Sequence, residues 1–323
     1  MKEKLIQWLK KVHLYKIVKK VFKKTIRFLY SIQPYRKAKI NGLIVFVDLR
    51  DSRGRAIYKR KTYTPDTGEL VPKLWQASFV LYPSYFLDIG ANYGEVSLTT
   101  KYPENTKKIY LIEPNPNITK ALQKSIHFYP DNKKIELISK AASIIDNKKI
   151  VLNVPETSTG LGSIISTIPK KLYFEIGQEQ FEVSTITLNT LLSNLNSQLV
   201  VLKIDVEGSE IDVLKGAERF IARNKYLILL EISTVYLEAL GVSPALAFEF
   251  FNSLGWLYFP DEKRREFIPL KNLDYSKIWS ILSEKDLLSD YYQSRDSIVG
   301  DFVLFSNNFT QEEIKKYFKN VFH

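Results

Sequence analysis

The chain has 323 residues, 45% of them apolar, enough for one large α/β domain with a full core or for two smaller ones. It has no cysteine, which excludes disulfides and thiolate metal sites, and no run near eighteen consecutive apolar residues, so no membrane-spanning helix is expected. The net charge of +12 is local: residues 1–40 hold thirteen Lys or Arg against Glu3 alone, and the other 283 residues balance at 34 basic and 34 acidic, which argues against a nucleic-acid partner.

Residues 1–33 read as a basic, amphipathic helical arm. Leu14, Ile17, Val18, Val21, Phe22, Phe28 and Leu29 gather on one side of a 3.6-residue period, with Lys16, Lys19, Lys20, Lys23, Lys24 and Arg27 opposite. Leu5, Trp8, Leu9 and Val12 form a second apolar face turned away from the first, which predicts a bend near His13. Such a segment suits an anionic membrane surface, reached through residues 1–30. It equally suits docking on the core or on a second subunit. The N-terminus lacks the apolar stretch and small-residue cleavage site of a secretory signal, so the expected location is cytoplasmic, with peripheral attachment to the inner membrane face as an extension.

The main domain is expected over 34–323. Its lead-in, 34–80, shows alternation at Lys39 to Val47 and Arg55 to Arg60, with turn chemistry at Asn41-Gly42 and Ser52-Arg53-Gly54, as in a β-hairpin cap. A helix is expected to end over Pro72 to Ala77. From Tyr85 the pattern alternates strand and helix through a cofactor-binding core, 81–307, and closes with a C-terminal helix, 308–323. Strands are expected near 85–89, 108–113, 134–139, 199–205, 226–232, 256–259 and 301–306, with helices near 94–101, 117–128, 209–222, 243–253 and 310–321. This order calls for a parallel sheet with helices on both faces. A β-rich stretch, 148–187, carries the glycine-bearing loop Ser158 to Ser163. An insertion, 261–299, interleaves Tyr275, Trp279, Tyr291 and Tyr292 with charges, suiting either sugar stacking or ordinary packing.

The chemistry concentrates at strand ends. Phe86-Leu87-Asp88-Ile89-Gly90-Ala91-Asn92-Tyr93-Gly94 runs an apolar strand into a glycine turn, and the helix expected after it would offer unpaired N–H groups to an anion. A dinucleotide fingerprint needs glycine where this chain has Asn92 and Glu95, which disfavours a nicotinamide oxidoreductase. The spacing suits S-adenosylmethionine, whose negative group is a small carboxylate. Glu113, closing the next strand, is placed to accept both ribose hydroxyl protons. Asp205 closes the apolar strand Leu199-Val200-Val201-Leu202, and Gly208 breaks the chain before a helix that the Ser209 hydroxyl can cap. Asp205, Glu207 and Glu231 are candidates for a general base or for holding an acceptor hydroxyl, or for coordinating Mg²⁺ or Ca²⁺, although no metal is assigned. Lys203 reads as their buried counter-charge, and His127 as a surface or packing residue.

Four segments resemble the FkbM family of S-adenosylmethionine-dependent methyltransferases: Phe86 to Gly94, Ile112-Glu113-Pro114-Asn115, Leu202-Lys203-Ile204-Asp205-Val206-Glu207-Gly208-Ser209-Glu210, and Leu229-Leu230-Glu231-Ile232. The resemblance spans about residues 40 to 307. It implies a Rossmann-like class I methyltransferase sheet with helices on both faces, preceded here by the hairpin cap and the arm. It further implies S-adenosylmethionine as cofactor and methyl transfer to a hydroxyl of a glycan or related small molecule. Cofactor contacts are then expected from Asp88, Gly90, Asn92, Gly94, Glu113 and Ala142, and catalytic roles from Asp205, Glu207 and Glu231. Asn189 and Ser233 depart from residues common in the family, Asp and His respectively. The alternative is a non-catalytic, membrane-associated binding module that keeps the fold.

Overall fold

The computed structural model describes residues 32–60, 70–155, 178–285 and 297–322, together with Tyr30, Gly162, Ser163 and Leu287. The expected arm lies outside the described residues, apart from Tyr30 and its last two positions.

The lead-in opens with the hairpin β1 (Tyr35–Ile40) and β2 (Leu43–Asp48), turned through Asn41 and Gly42, both at positive φ as a two-residue hairpin turn requires. The alternation at Arg55 to Arg60 is not a strand but lies within helix α1 (Ser52–Arg60). The Asp51 carboxylate starts this helix by accepting the Gly54 N–H at 2.8 Å, and Ile57 supplies its buried anchor. Helix α2 (Leu70–Ala77) then buries Leu74 and Trp75 and leads to the first parallel strand.

The core runs through β3 (Tyr85–Ile89), β4 (Lys108–Ile112), α3 (Pro116–His127), β5 (Ile135–Ile138), β6 (Ala141–Ala142), β7 (Lys149–Pro155) and β8 (Gln178–Ile186). It continues with α4 (Leu188–Leu191), β9 (Leu199–Ile204), α5 (Glu210–Lys215), α6 (Glu218–Arg223) and β10 (Lys225–Ser233). It ends with α7 (Thr234–Ala239), α8 (Pro244–Leu254), β11 (Gly255–Asp261), β12 (Glu266–Pro269), α9 (Tyr275–Glu284), β13 (Val299–Ser306) and α10 (Gln311–Phe322). Eight strands form one sheet in the order β12-β11-β13-β10-β9-β3-β4-β5, and β6, β8 and β7 form a smaller one. β10, β9, β3, β4 and β5 are parallel, while β13 runs antiparallel between β10 and β11.

Both faces of the large sheet are buried, so its strands read as nearly continuous apolar runs. Successive side chains divide between two cores. Phe86, Val201, Leu227, Leu229, Val303 and Phe305 join one core with the lead-in, Trp75 of α2, Leu122 of α3 and Tyr317 of α10. Leu87, Leu202, Ile228, Leu230, Phe302 and Leu304 join the other with Phe248 and Phe251 of α8.

Chain order reverses between β3 and β9, which places a switch point between their carboxyl ends. Gly90 makes the close approach there possible: it has φ +77°, and a Cβ would come within 1.8 Å of the Asp205 carbonyl oxygen. The glycine is thus demanded by the neighbouring strand end. Gly90→Ala is expected to lower unfolding stability by roughly 2 kcal/mol or more, as read by thermal or urea denaturation.

Candidate active site

The turn after β3 hangs from the end of β4. The Gly90 and Ala91 N–H groups donate to the Ile112 carbonyl at 2.9 and 3.1 Å. Glu113, one residue on, accepts from the Asn92 N–H at 2.9 Å and the Asn115 N–H at 2.8 Å. Each carboxylate oxygen keeps a further acceptor site, enough for a ribose diol. Burial pushes the Glu113 carboxyl up to about 7 against the pull of those backbone bonds, with Asp88 and Glu95 adding repulsion.

The helix expected near 94–101 is absent; only a single tight turn, Ser97–Thr99, is helical. Asn92, Gly94 and Ser97 all take positive φ, which an α-helix does not permit. The Thr99 and Thr100 hydroxyls bond back to the Glu95 and Val96 carbonyls at 2.5 and 2.8 Å. An anion-binding helix N-terminus is therefore not what the turn offers. It offers acceptors. Both Asp88 oxygens, Asn92 Oδ1 and Glu95 Oε2 are buried without a hydrogen-bond donor at bonding geometry among the described residues, with the Ser97 hydroxyl close to Asp88. Buried acceptors left unpaired are costly, and cations relieve them. The set fits the ammonium and sulfonium of S-adenosylmethionine, while Glu113 fits its ribose.

Strand register supplies the counter-charge. Lys203 on β9 sits opposite Asp88 on β3 and is 9% exposed, with Nζ at 3.5 Å from Asp88 and 3.0 Å from Asp205. Burial alone would strip its proton, yet Asp205 and Asp88 hold it firmly protonated. Burial also opposes ionisation of Asp205, but Lys203, a hydrogen bond with Glu231 and the charge of Arg53 together hold its carboxyl below the usual range. Glu231 is driven up first by Asp205, then by burial and Glu207. Glu207 is driven up by burial and then by Asp205 and Glu210, and Asp301 is raised to about 7 by burial and Asp205. Asp205 thus lies below the ordinary carboxylate range while the carboxyls around it lie above theirs.

Asp88, Lys203, Asp205, Glu231 and Asp301 share more than an edge. By the two-residue period of their strands, all lie on the face occupied by the lead-in. Glu231 and Asp301 are register partners across β10 and β13.

Several expected roles change. Ser209 does not cap α5; its hydroxyl is buried without a hydrogen-bond partner among the described residues, and Glu210 accepts from the Gly208 N–H at 3.0 Å instead. Glu210 thereby braces the turn in which Glu207 takes φ +52°. The helix expected over 209–222 is split into α5 and α6 where Asn189 docks, donating its N–H to Gly216 O at 2.9 Å and accepting from the Phe220 N–H at 3.1 Å. Asn189 is thus a structural tie.

Ala142 lies in β6, paired with Ile186 and buried in the second core. Ser233 ends β10 with its hydroxyl buried, and His127 is exposed beside Phe128. Of the glycine-bearing loop, Ser163 is described; its hydroxyl donates to the Glu207 carbonyl at 2.9 Å. Tyr275 packs on Phe248 at 5.7 Å and Trp279 against the second core, which is packing, while Tyr291 and Tyr292 lie outside the described residues. No group of acidic or histidine side chains among the described residues has metal-binding geometry.

Sequence reading missed Arg53, Glu95, Glu210 and Asp301. Arg53 was taken for a turn residue, and Glu95 was used only to rule out a dinucleotide motif. Asp301 had a legible signal: it is the one acid at the start of an apolar strand, in phase with Val303 and Phe305.

The sheet order, the turn at the switch point and the strand-end acids define a Rossmann-like class I methyltransferase. The methyltransferase FkbM domain matches residues 88–265, more than half of the chain, and the protein belongs to this family of S-adenosylmethionine-dependent methyltransferases. A search of curated proteins gives no match. Among solved structures, the chain is similar to methyltransferase FkbM from Methylobacillus flagellatus KT, at 19% identity over 46% of this chain and 32% of that one, with a TM-score of 0.30. It is also similar to StiE O-MT residues 961–1257, at 12% identity over 78% and 77%, with a TM-score of 0.40. A third is precorrin-6y C5,15-methyltransferase from Geobacter metallireducens GS-15, at 12% over 76% and 97%, with a TM-score of 0.32. The chain spans about a third of the length of the Methylobacillus flagellatus structure.

Lys203→Met is expected to destabilise the fold by about 3 kcal/mol or more, because it leaves Asp88 and Asp205 buried without their cation. A melting temperature equal to that of the unaltered protein contradicts the assignment. For Glu113, whose pKa rises from 4.5 to about 7, the native state binds the proton more tightly, so its contribution to stability fades as pH rises between those values. Ribose hydroxyls favour the ionised form. Cofactor affinity is therefore expected to fall by about tenfold per unit as pH drops below 7, and Glu113→Gln to flatten that dependence in calorimetry.

Proposed function

We propose that the protein is an O-methyltransferase that moves the methyl of S-adenosylmethionine to a hydroxyl of a glycan or related small metabolite. The observation that carries this reading is the placement of Asp205 and Glu231 on one face of the sheet beside the turn after β3, with Glu207 close enough to Asp205 to feel its charge. The glycan acceptor rests on the family resemblance.

When bound, S-adenosylmethionine supplies an electrophilic methyl, already activated on its sulfonium. The protein must then orient a hydroxyl and take its proton. Asp205, Glu207 and Glu231 are only partly buried, so an acceptor can reach them. Glu207, driven up by burial and Asp205, and Glu231, driven up by Asp205 and burial, bind a released proton better than ordinary carboxyls do. An alcohol is a very weak acid, so its proton passes to the carboxylate as the O–C bond forms. Asp88 and Lys203 hold Asp205 in place, and Glu113 with the turn acceptors holds the cofactor.

The test uses labelled methyl donor with fractionated cell extract. Asp205→Asn is expected to cut label transfer by about a hundredfold or more while retaining cofactor binding. Asp88→Ala is expected to weaken that binding by about 1 kcal/mol or more. Intact binding in Asp88→Ala, or no labelled product in any fraction, speaks against the assignment.

The basic, amphipathic pattern of residues 1–33 supports a peripheral role at an anionic membrane surface. No helix among the described residues is long and apolar enough to cross a membrane. Full-length protein is expected to sediment with anionic liposomes and not with neutral ones, and deletion of residues 1–33 to abolish this without loss of cofactor binding.

A further inference from the structure

We propose that Arg53, carried by the lead-in helix α1 outside the family-matched span, is a positioning residue of the methyl-transfer site, clamping the cofactor turn through Glu95. The inference rests on the proposed function and adds a part that the strand-end motifs do not contain.

Arg53 Nε donates to Glu95 Oε1 at 2.6 Å across 42 residues of sequence. Glu95 is 3% exposed, and its other oxygen, Oε2, is among the buried acceptors left unpaired around the turn. One carboxylate thus faces two ways. It is tied on one side to the lead-in and leaves the other side for the cofactor cation. A second tie runs parallel: the Tyr93 hydroxyl donates to Asp51 Oδ2 at 3.1 Å, and the same oxygen accepts the Gly54 N–H at 2.8 Å. Two residues of the turn, Tyr93 and Glu95, are therefore held by Asp51 and Arg53 at the start of α1.

This anchoring answers a mechanical problem. The turn has four residues at positive φ, Gly90, Asn92, Gly94 and Ser97, and no α-helix directly after it to stiffen it. Glu95 lies between two of them. Without a fixed partner, its carboxylate would be repelled by Asp88 and Glu113, both of which feel its charge. Arg53 supplies the opposing charge from the same face of the sheet, and it also faces Asp51, Asp205 and Glu207. Removing one partner of a buried ion pair is costly because it leaves the other charge uncompensated, and a planar guanidinium holds its direction.

The test measures S-adenosylhomocysteine binding by calorimetry on the full chain, with thermal melting as the control for folding. Arg53→Gln is expected to weaken binding about tenfold, in the range seen when the outer partner of a ligand-holding group is removed. Arg53→Lys keeps the charge and is expected to stay within about threefold of the unaltered protein. In Arg53→Gln with Glu95→Gln, the loss is expected to be no larger than the greater of the two single losses, because the pair acts as one unit. Equal affinity in Arg53→Gln overturns the assignment, as does a Lys variant as weak as the Gln variant, or single losses that multiply in the double variant. Where Arg53→Gln does not fold, the Lys variant decides alone. An unaltered chain that binds no S-adenosylhomocysteine overturns the functional reading itself, and this assignment with it; normal binding with an inert Arg53 overturns this assignment only.

Discussion

A single buried ammonium organises the centre of this protein. Lys203 lies between Asp88 and Asp205 at the carboxyl ends of two neighbouring parallel strands, where two carboxylates without it would repel each other. An ammonium leaves water at high cost, and only close carboxylates offset that cost. The three side chains therefore stand or fall together. Their closeness needs the strand ends to meet, and Gly90, with no Cβ to strike the Asp205 carbonyl, permits it. Lys203 holds Asp205 below the usual carboxylate range against its burial, while burial and the charge of Asp205 push Glu207, Glu231 and Asp301 up, so the protonation of each depends on the others.

The lead-in belongs to the same arrangement. It covers the face of the sheet from which these acids project, and the C-terminal helix closes over it, with the Tyr317 hydroxyl donating to the Leu74 carbonyl at 2.9 Å. Segments far apart in sequence thus build one wall of the site. The opposite face packs apolar side chains of α8 and α9 against these strands, and the Tyr226 hydroxyl of β10 donates to the Leu254 carbonyl of α8 at 2.6 Å.

Particular elements show what was legible. The seven expected strands of the large sheet are all present within a few residues, because burial on both faces writes the central ones as apolar runs, several of them closed by an acid. Glu113 and the turn after β3 were legible for the same reason. The segments at 55–60 and 94–101 were not. The first is short and charged, and its helix depends on capping by Asp51. The second has a helix-like apolar pattern, but the sign of φ at Asn92 and Ser97 is set by contacts, not by that pattern. Ser209 was read as a cap by residue type, whereas Glu210 reaches the turn amides first.

The fold class, the glycine turn after β3, the acid closing β4 and the family motif around Asp205 followed from the chain alone, since each is a local pattern of apolar runs, glycines and strand-end acids, whereas the order of the strands in the sheet and the antiparallel direction of β13 did not. Which charges meet was decided only by the tertiary structure. The pairing of Arg53 with Glu95, of Lys203 with Asp88, and of Glu231 with Asp301 depends on strand register and on helix placement over long sequence separations. Electrostatic energy varies with distance and burial, and neither exists until the sheet has closed.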